Sequence, residues 1–100
     1  MRTIAAIATP LGEGSIGVIR ISGDKAIETA DKVFSSFSGK TLGQLSGYSA
    51  LYGEITDNGA IIDDAVALVF REPKSYTGED VVEISIHGGT LMLKTVLRLI

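Results

Sequence analysis

The chain has 100 residues, 45% of them hydrophobic and 21% charged, which is the composition of one globular domain and excludes a disordered tract. It contains no cysteine and a single histidine, His87, which excludes disulfides, zinc thiolates, iron–sulfur clusters, thiol catalysis and histidine-rich metal cages. With 9 Lys+Arg against 12 Asp+Glu the net charge is -3, which argues against a general binder of phosphate backbone.

Thr3 to Ala8 is a short apolar run stopped by Thr9-Pro10 and reads as a strand. A glycine-rich connection, Leu11 to Ser15, leads into Ile16 to Ile21, whose alternation predicts a second strand with Val18 and Arg20 on one face and Ile19 and Ile21 on the other. Ser22-Gly23-Asp24 supplies helix-start chemistry, and Ala26, Ile27, Ala30, Val33 and Phe34 recur at helical spacing, predicting a helix that ends near Ser35-Ser36. Residues 38–47 read as a loop. Tyr48 to Ile55 returns to strand pattern, Asp57-Asn58-Gly59 is a hairpin turn, and Ile61 to Phe70 is the returning strand. That strand is apolar on both faces apart from Asp63 and Asp64, so it belongs in the middle of the sheet. Pro73 to Asp80 is a loop, Val81 to His87 a strand, and Thr90 to Ile100 an apolar helix.

The predicted order is therefore β-β-α-β-β-β-α in one domain, 1–100. The last helix stops at Ile100 in mid-pattern with neither glycine nor polar cap, so the domain is expected to be cut at its C-terminal end from a longer polypeptide. No stretch approaches the roughly 18 unbroken apolar residues of a membrane span, and Met1-Arg2-Thr3-Ile4 lacks the parts of a signal peptide. The expected setting is the cytoplasm, without a membrane partner.

Several short motifs fail on context. Gly12-Glu13-Gly14-Ser15-Ile16-Gly17 has the glycine spacing of a dinucleotide loop, but that loop must open a helix to receive the pyrophosphate, and here it opens a strand. Gly39-Lys40-Thr41 resembles the end of a phosphate-binding loop whose first glycine would fall at position 34, where Phe34 stands. No G-x-S-x-G elbow is present for serine hydrolysis. Asp63 and Asp64 are adjacent on a strand and point to opposite faces, so a solvated position suits them better than a shared cation.

Arg20, Glu83 and His87 form the informative constellation. Arg20 lies between isoleucines and Glu83 in the middle of the last strand, positions where a charge is costly unless paired. Alternation places each opposite its neighbouring isoleucines. Two readings stay open: an internal salt bridge serving only the fold, or a ligand site. His87-Gly88-Gly89 before the last helix reads as a tight turn needing glycine. The same residues would also suit a helix start whose N–H groups attract an anion or a carbonyl oxygen.

Two blocks of sequence carry a resemblance. Thr3 to Gly14 continuing through Gly17-Val18-Ile19-Arg20-Ile21-Ser22-Gly23, and Ser75-Tyr76-Thr77-Gly78-Glu79-Asp80-Val81-Val82-Glu83-Ile84 continuing to His87-Gly88-Gly89, resemble the N-terminal domain of the bacterial tRNA modification GTPases of the MnmE/TrmE family. Leu11 departs from the proline common there. The resemblance implies an α+β fold, a β-β-α-β-β-β-α mixed sheet with helices on one face, like one half of the folate-binding domain of glycine-cleavage T-proteins. It implies a homodimer and a bound tetrahydrofolate derivative, 5-formyl-tetrahydrofolate, as one-carbon donor. The family's folate-contacting arginine and glutamate fall on Arg20 and Glu83, and a contacting lysine would lie beyond Ile100. A carboxylate such as Glu83 can accept the paired N–H and amine of a pterin. Tyr76, in a flanking loop, either stacks on the ring or packs, and His87, Gly88 and Gly89 complete the expected pocket. No catalytic or metal-ligating residue is expected in this chain. The resemblance places GTP, magnesium and potassium in a separate G domain, and implies an MnmG-type flavoprotein and tRNA as partners in modifying C5 of wobble uridine.

Overall fold

The computed structural model describes residues 3–8, 16–72, 78–87 and 89–100. Its elements are β1 (Ile4–Ile7), β2 (Gly17–Ser22), α1 (Ala26–Asp31), β3 (Phe34–Ser36), a 3-10 turn (Leu42–Gln44), β4 (Ser49–Asp57), β5 (Ala60–Phe70), β6 (Val81–Ile86) and α2 (Gly89–Leu99). The six strands form one sheet in the order β1-β2-β6-β5-β4-β3. This is the expected α+β fold, with β5 and β6 at its centre.

Within that fold the sheet is antiparallel at every pairing rather than mixed. β2 and β5 run in the same direction but do not touch. β6 returns between them, antiparallel to both, and so converts what would be a parallel contact into two antiparallel ones.

The register decides which face is buried. Ile19 pairs with Ile84 and Ile21 with Val82 across β2 and β6, while Ala67 pairs with Ile84 and Val69 with Val82 across β5 and β6. These side chains share one face, where they meet Ala26, Ile27 and Ala30 of α1 and Leu93 and Val96 of α2 in a single buried cluster. Burying each of the isoleucine, leucine and valine side chains contributes about 1.5–3 kcal/mol. Both helices pack on that one face, against β1, β2 and β6.

Three local details differ from the sequence pattern. First, α1 ends at Asp31 instead of running to Ser35, and Phe34 opens β3, paired with Ile55 of β4. The aromatic ring finds its burial by strand pairing, and the Asp31 carboxylate, accepting from the N–H groups of Leu42 (2.7 Å) and Gly43 (3.0 Å), ties the helix end to the 3-10 turn. Second, the predicted loop 38–47 contains that turn, in which Gln44 Oε1 accepts the N–H of Thr41 at 2.9 Å. Third, Ser22 does not cap α1. The cap position is Lys25, whose backbone N–H donates to Thr3 Oγ1 at 3.0 Å.

The β4–β5 hairpin turns as expected at Asn58 and Gly59, with φ of 50° and 88°, the two left-handed residues that a tight two-residue turn needs. Gly53 answers a different requirement. A Cβ there would stand 2.7 Å from the Cα of Ser36 and 2.9 Å from the Phe34 ring, because the neighbouring strand β3, with Ser36 opposite Gly53, lies close over it. Gly53→Ala is therefore expected to destabilise the chain by about 1–3 kcal/mol through overpacking, read as a lowered urea midpoint with an unchanged slope. A midpoint equal to that of the parent would contradict the close approach.

Candidate ligand site on the open face of the sheet

The face opposite the helices is built from the other half of each alternating strand. Its central row is Ala6, Arg20, Glu83, Leu68 and Ala50, each aligned with the next across β1, β2, β6, β5 and β4. The neighbouring row holds Val18, Ser85, Val66 and Tyr52, and the row on the other side holds Ile4, Ser22, Val81 and Phe70. One charged pair thus sits in the middle of an otherwise apolar and hydroxyl-bearing surface.

The two expected contact residues, Arg20 and Glu83, are brought together. Arg20 Nε and Nη2 both donate to one oxygen, Glu83 Oε2, at 2.9 and 2.6 Å. The pair is unevenly covered, with 37% of the arginine side chain exposed and 15% of the glutamate. Glu83 Oε1 takes no hydrogen bond from the described residues, and it is not sealed off, since no buried side-chain nitrogen or oxygen among them lacks a partner. An ionised carboxylate offers about four lone-pair sites. Arg20 fills two on Oε2, so Oε1 keeps room for two further donors.

The ends of this surface differ. Toward Ser22 it is closed: Ser22 is buried and its hydroxyl donates to Glu79 Oε1 at 3.3 Å. Val81 and Phe70 are buried too, and the Tyr48 ring meets Phe70 edge-on at 5.5 Å between centroids. Toward Tyr52 it is open, with Val66 42% and Tyr52 55% exposed. The Tyr52 hydroxyl donates to Asp64 Oδ2 at 3.1 Å, and that hydrogen bond and the negative charge of Asp64 raise the phenol above its ordinary 10.0.

His87 lies just past β6, exposed, and its backbone N–H donates to Asp63 Oδ2 at 3.3 Å. Gly89 opens α2 with φ of 75°, a left-handed conformation suited to glycine. Tyr76 and Gly88 lie outside the described residues. The glycine-spaced motif at 12–17 falls mostly outside them as well, but Gly17 begins β2, a strand and not the helix a dinucleotide loop requires. Asp63 and Asp64 make separate local hydrogen bonds, and no group of three metal-ligating side chains occurs among the described residues.

Sequence reading missed the floor around the ion pair: Leu68 and Val66 from β5, and Ala50 and Tyr52 from β4. The signal was present in the two-faced apolar pattern of 61–70, but assigning it to this site needed the strand register. A concavity of about 380 Å³ lies on the helix side, lined by residues that include Ala5, Ile21, Thr29, Leu97 and Ile100. None of its lining residues is charged, and Thr3 and Thr29 are its polar side chains, so it offers no counterpart to the ion pair of the open face.

A family model described as "GTP-binding protein TrmE N-terminus" matches residues 3–100. The chain is similar to proteins named "tRNA modification GTPase MnmE": 50% identical over 98 residues to that of Clostridioides difficile, covering 98% of this chain and 21% of the relative. It is 51% identical over 100 residues to that of Carboxydothermus hydrogenoformans, covering 98% and 22%. Against that of Streptococcus mutans it is 49% identical over 98 residues, covering 98% and 21%. The chain spans about a fifth of the length of the curated relatives it matches.

Proposed function

The chain belongs to the family of TrmE N-terminal domains, and from that premise we propose that it is the folate-binding and homodimerising domain of a GTPase that modifies C5 of the tRNA wobble uridine. The observation that carries the ligand reading is the uneven ion pair: Arg20 Nε and Nη2 both donate to Oε2 of Glu83 and leave Oε1 with no donor among the described residues. A pterin presents a ring N–H and an exocyclic amine side by side, two donors suited to one carboxylate edge. Leu68 and Val66 beside the pair supply apolar surface for the rest of a flat ring. The ligand of this reading is 5-formyl-tetrahydrofolate, held by Glu83 and Arg20, with His87 and Gly89 toward the rim. When bound it supplies the one-carbon unit; the residues here hold and orient it. A lysine following position 100 in longer family members would add a third contact.

The dimer reading rests on the same face. Ile4, Val66 and Tyr52 are 60%, 42% and 55% exposed on a sheet surface that neither helix covers, and a second copy would bury them. GTP hydrolysis, with magnesium and potassium, belongs in this reading to a G domain of the longer polypeptide, as do the contacts with tRNA and an MnmG-type flavoprotein. A cytoplasmic location follows from that role, and among the described residues no helix is long and apolar enough to cross a membrane.

A second reading, in which Arg20 and Glu83 form a structural ion pair in an assembly domain without ligand, is favoured by the fact that each already has the other as partner. Calorimetry separates the two. Titration of the chain with 5-formyl-tetrahydrofolate is expected to show saturable binding that is lost in Glu83→Ala. That variant gives up only about 1 kcal/mol of stability, because the pair is partly exposed. No binding by the parent chain, or equal binding by Glu83→Ala, would overturn the folate reading. For the dimer, sedimentation is expected to show two copies for the parent chain and one for Val66→Lys, which places a charge in the open face. An unchanged sedimentation coefficient in that variant would contradict an interface there.

A further inference from the structure

We propose that Ser85 is a further binding residue of the open-face site, whose hydroxyl makes the hydrogen bond that sets the ligand's orientation over the sheet; this rests on the folate reading above. Ser85 follows Glu83 by two residues on β6 and so shares its face, about 7 Å along the strand. Its cross-strand neighbours are Val18 on β2 and Val66 on β5, and neither side chain can hydrogen-bond. Ser85 is half-buried between them, and among the described residues nothing pairs with its hydroxyl. The contrast with Ser22, on the other side of the ion pair, is direct: that hydroxyl is buried and committed to Glu79. Of the two serines flanking the charged row, one is used by the fold and the other is left for something else.

The placement suits one ligand chemistry. A molecule donating an N–H group to Glu83 Oε1 must extend along the sheet in one direction or the other. Toward Ser22 the surface is closed by buried Val81 and Phe70, whereas toward Ser85 it is open. A flat heterocycle lying that way places its body against Val18, Val66 and Leu68 and brings a ring carbonyl or ring nitrogen toward the Ser85 hydroxyl. A serine hydroxyl both donates and accepts. It therefore reads the presence of a polar atom at that end of the ring, and an all-carbon ring would leave it unpaired.

The test compares Ser85→Val with Ser85→Thr by calorimetry with 5-formyl-tetrahydrofolate, with Glu83→Ala alongside. Valine and threonine have nearly the same shape and both suit a strand, so they differ at this position by the hydroxyl alone. Ser85→Val is expected to bind about three- to tenfold more weakly than the parent, the range for one hydrogen bond, with Ser85→Thr within twofold of it. Thermal midpoints of the two variants are expected to agree. Equal affinity of the valine and threonine variants, with binding still lost in Glu83→Ala, would overturn the role of Ser85 and leave the folate reading standing. Parent-like binding by Glu83→Ala would overturn both.

Discussion

The pairing of β2 with β6 places Ile19 opposite Ile84, Arg20 opposite Glu83, and Ile21 opposite Val82. The isoleucines and the valine are fully buried on the helix side, and this demand holds the register in place. A slip of β2 by one residue would turn Arg20 into the helix-covered core and expel Ile19 and Ile21. The same hydrophobic constraint that closes the core therefore brings one guanidinium and one carboxylate into contact on the opposite face. Burial positions the pair, and the attraction between the charges adds comparatively little to stability.

The two faces of the sheet then do different work. One is covered by α1 and α2 and is apolar across β1, β2 and β6 and the adjoining Ala65, Ala67 and Val69 of β5. The other is closed only at the end where Ser22, Val81 and Phe70 are buried, and elsewhere presents half-exposed valine, leucine, serine and tyrosine around the ion pair. An antiparallel sheet with one solvated face usually alternates apolar with polar residues. Here the second face keeps Val18, Val66 and Leu68, an excess of apolar surface that the fold itself does not use. That excess, next to a carboxylate with an unfilled oxygen, gives the face the makings of a recognition surface.

Most of the fold was legible in the sequence, because alternation and helical spacing report burial directly. The Asn58-Gly59 turn and the central place of 61–70 followed from backbone sterics and from apolar residues on both faces. The end of α1 was not legible: Val33 and Phe34 keep helical spacing, yet Phe34 gains more by pairing with Ile55, a partner far away in sequence. Arg20 and Glu83 could be singled out as charges in apolar strands. That they meet depends on long-range register, and that the Nε and Nη2 donors of Arg20 land on one oxygen depends on side-chain geometry no pattern encodes. Ser85 and Leu68 were invisible as site residues for the same reason, since their meaning comes from neighbours on other strands.

The central claim is that the open face around Arg20 and Glu83 is where this domain meets its ligand, and the side-chain N–H of Arg20 reports on it directly. Arg20 Nε–H donates to Glu83 Oε2 at 2.9 Å, so its nitrogen–proton resonance responds to any donor arriving on that carboxylate. Titrating isotope-labelled chain with 5-formyl-tetrahydrofolate should move that resonance, together with the backbone amides of Glu83 and Ser85, along one saturating curve. A stationary Arg20 signal, with shifts gathered instead around Thr29 and Leu97 on the helix side, would contradict it.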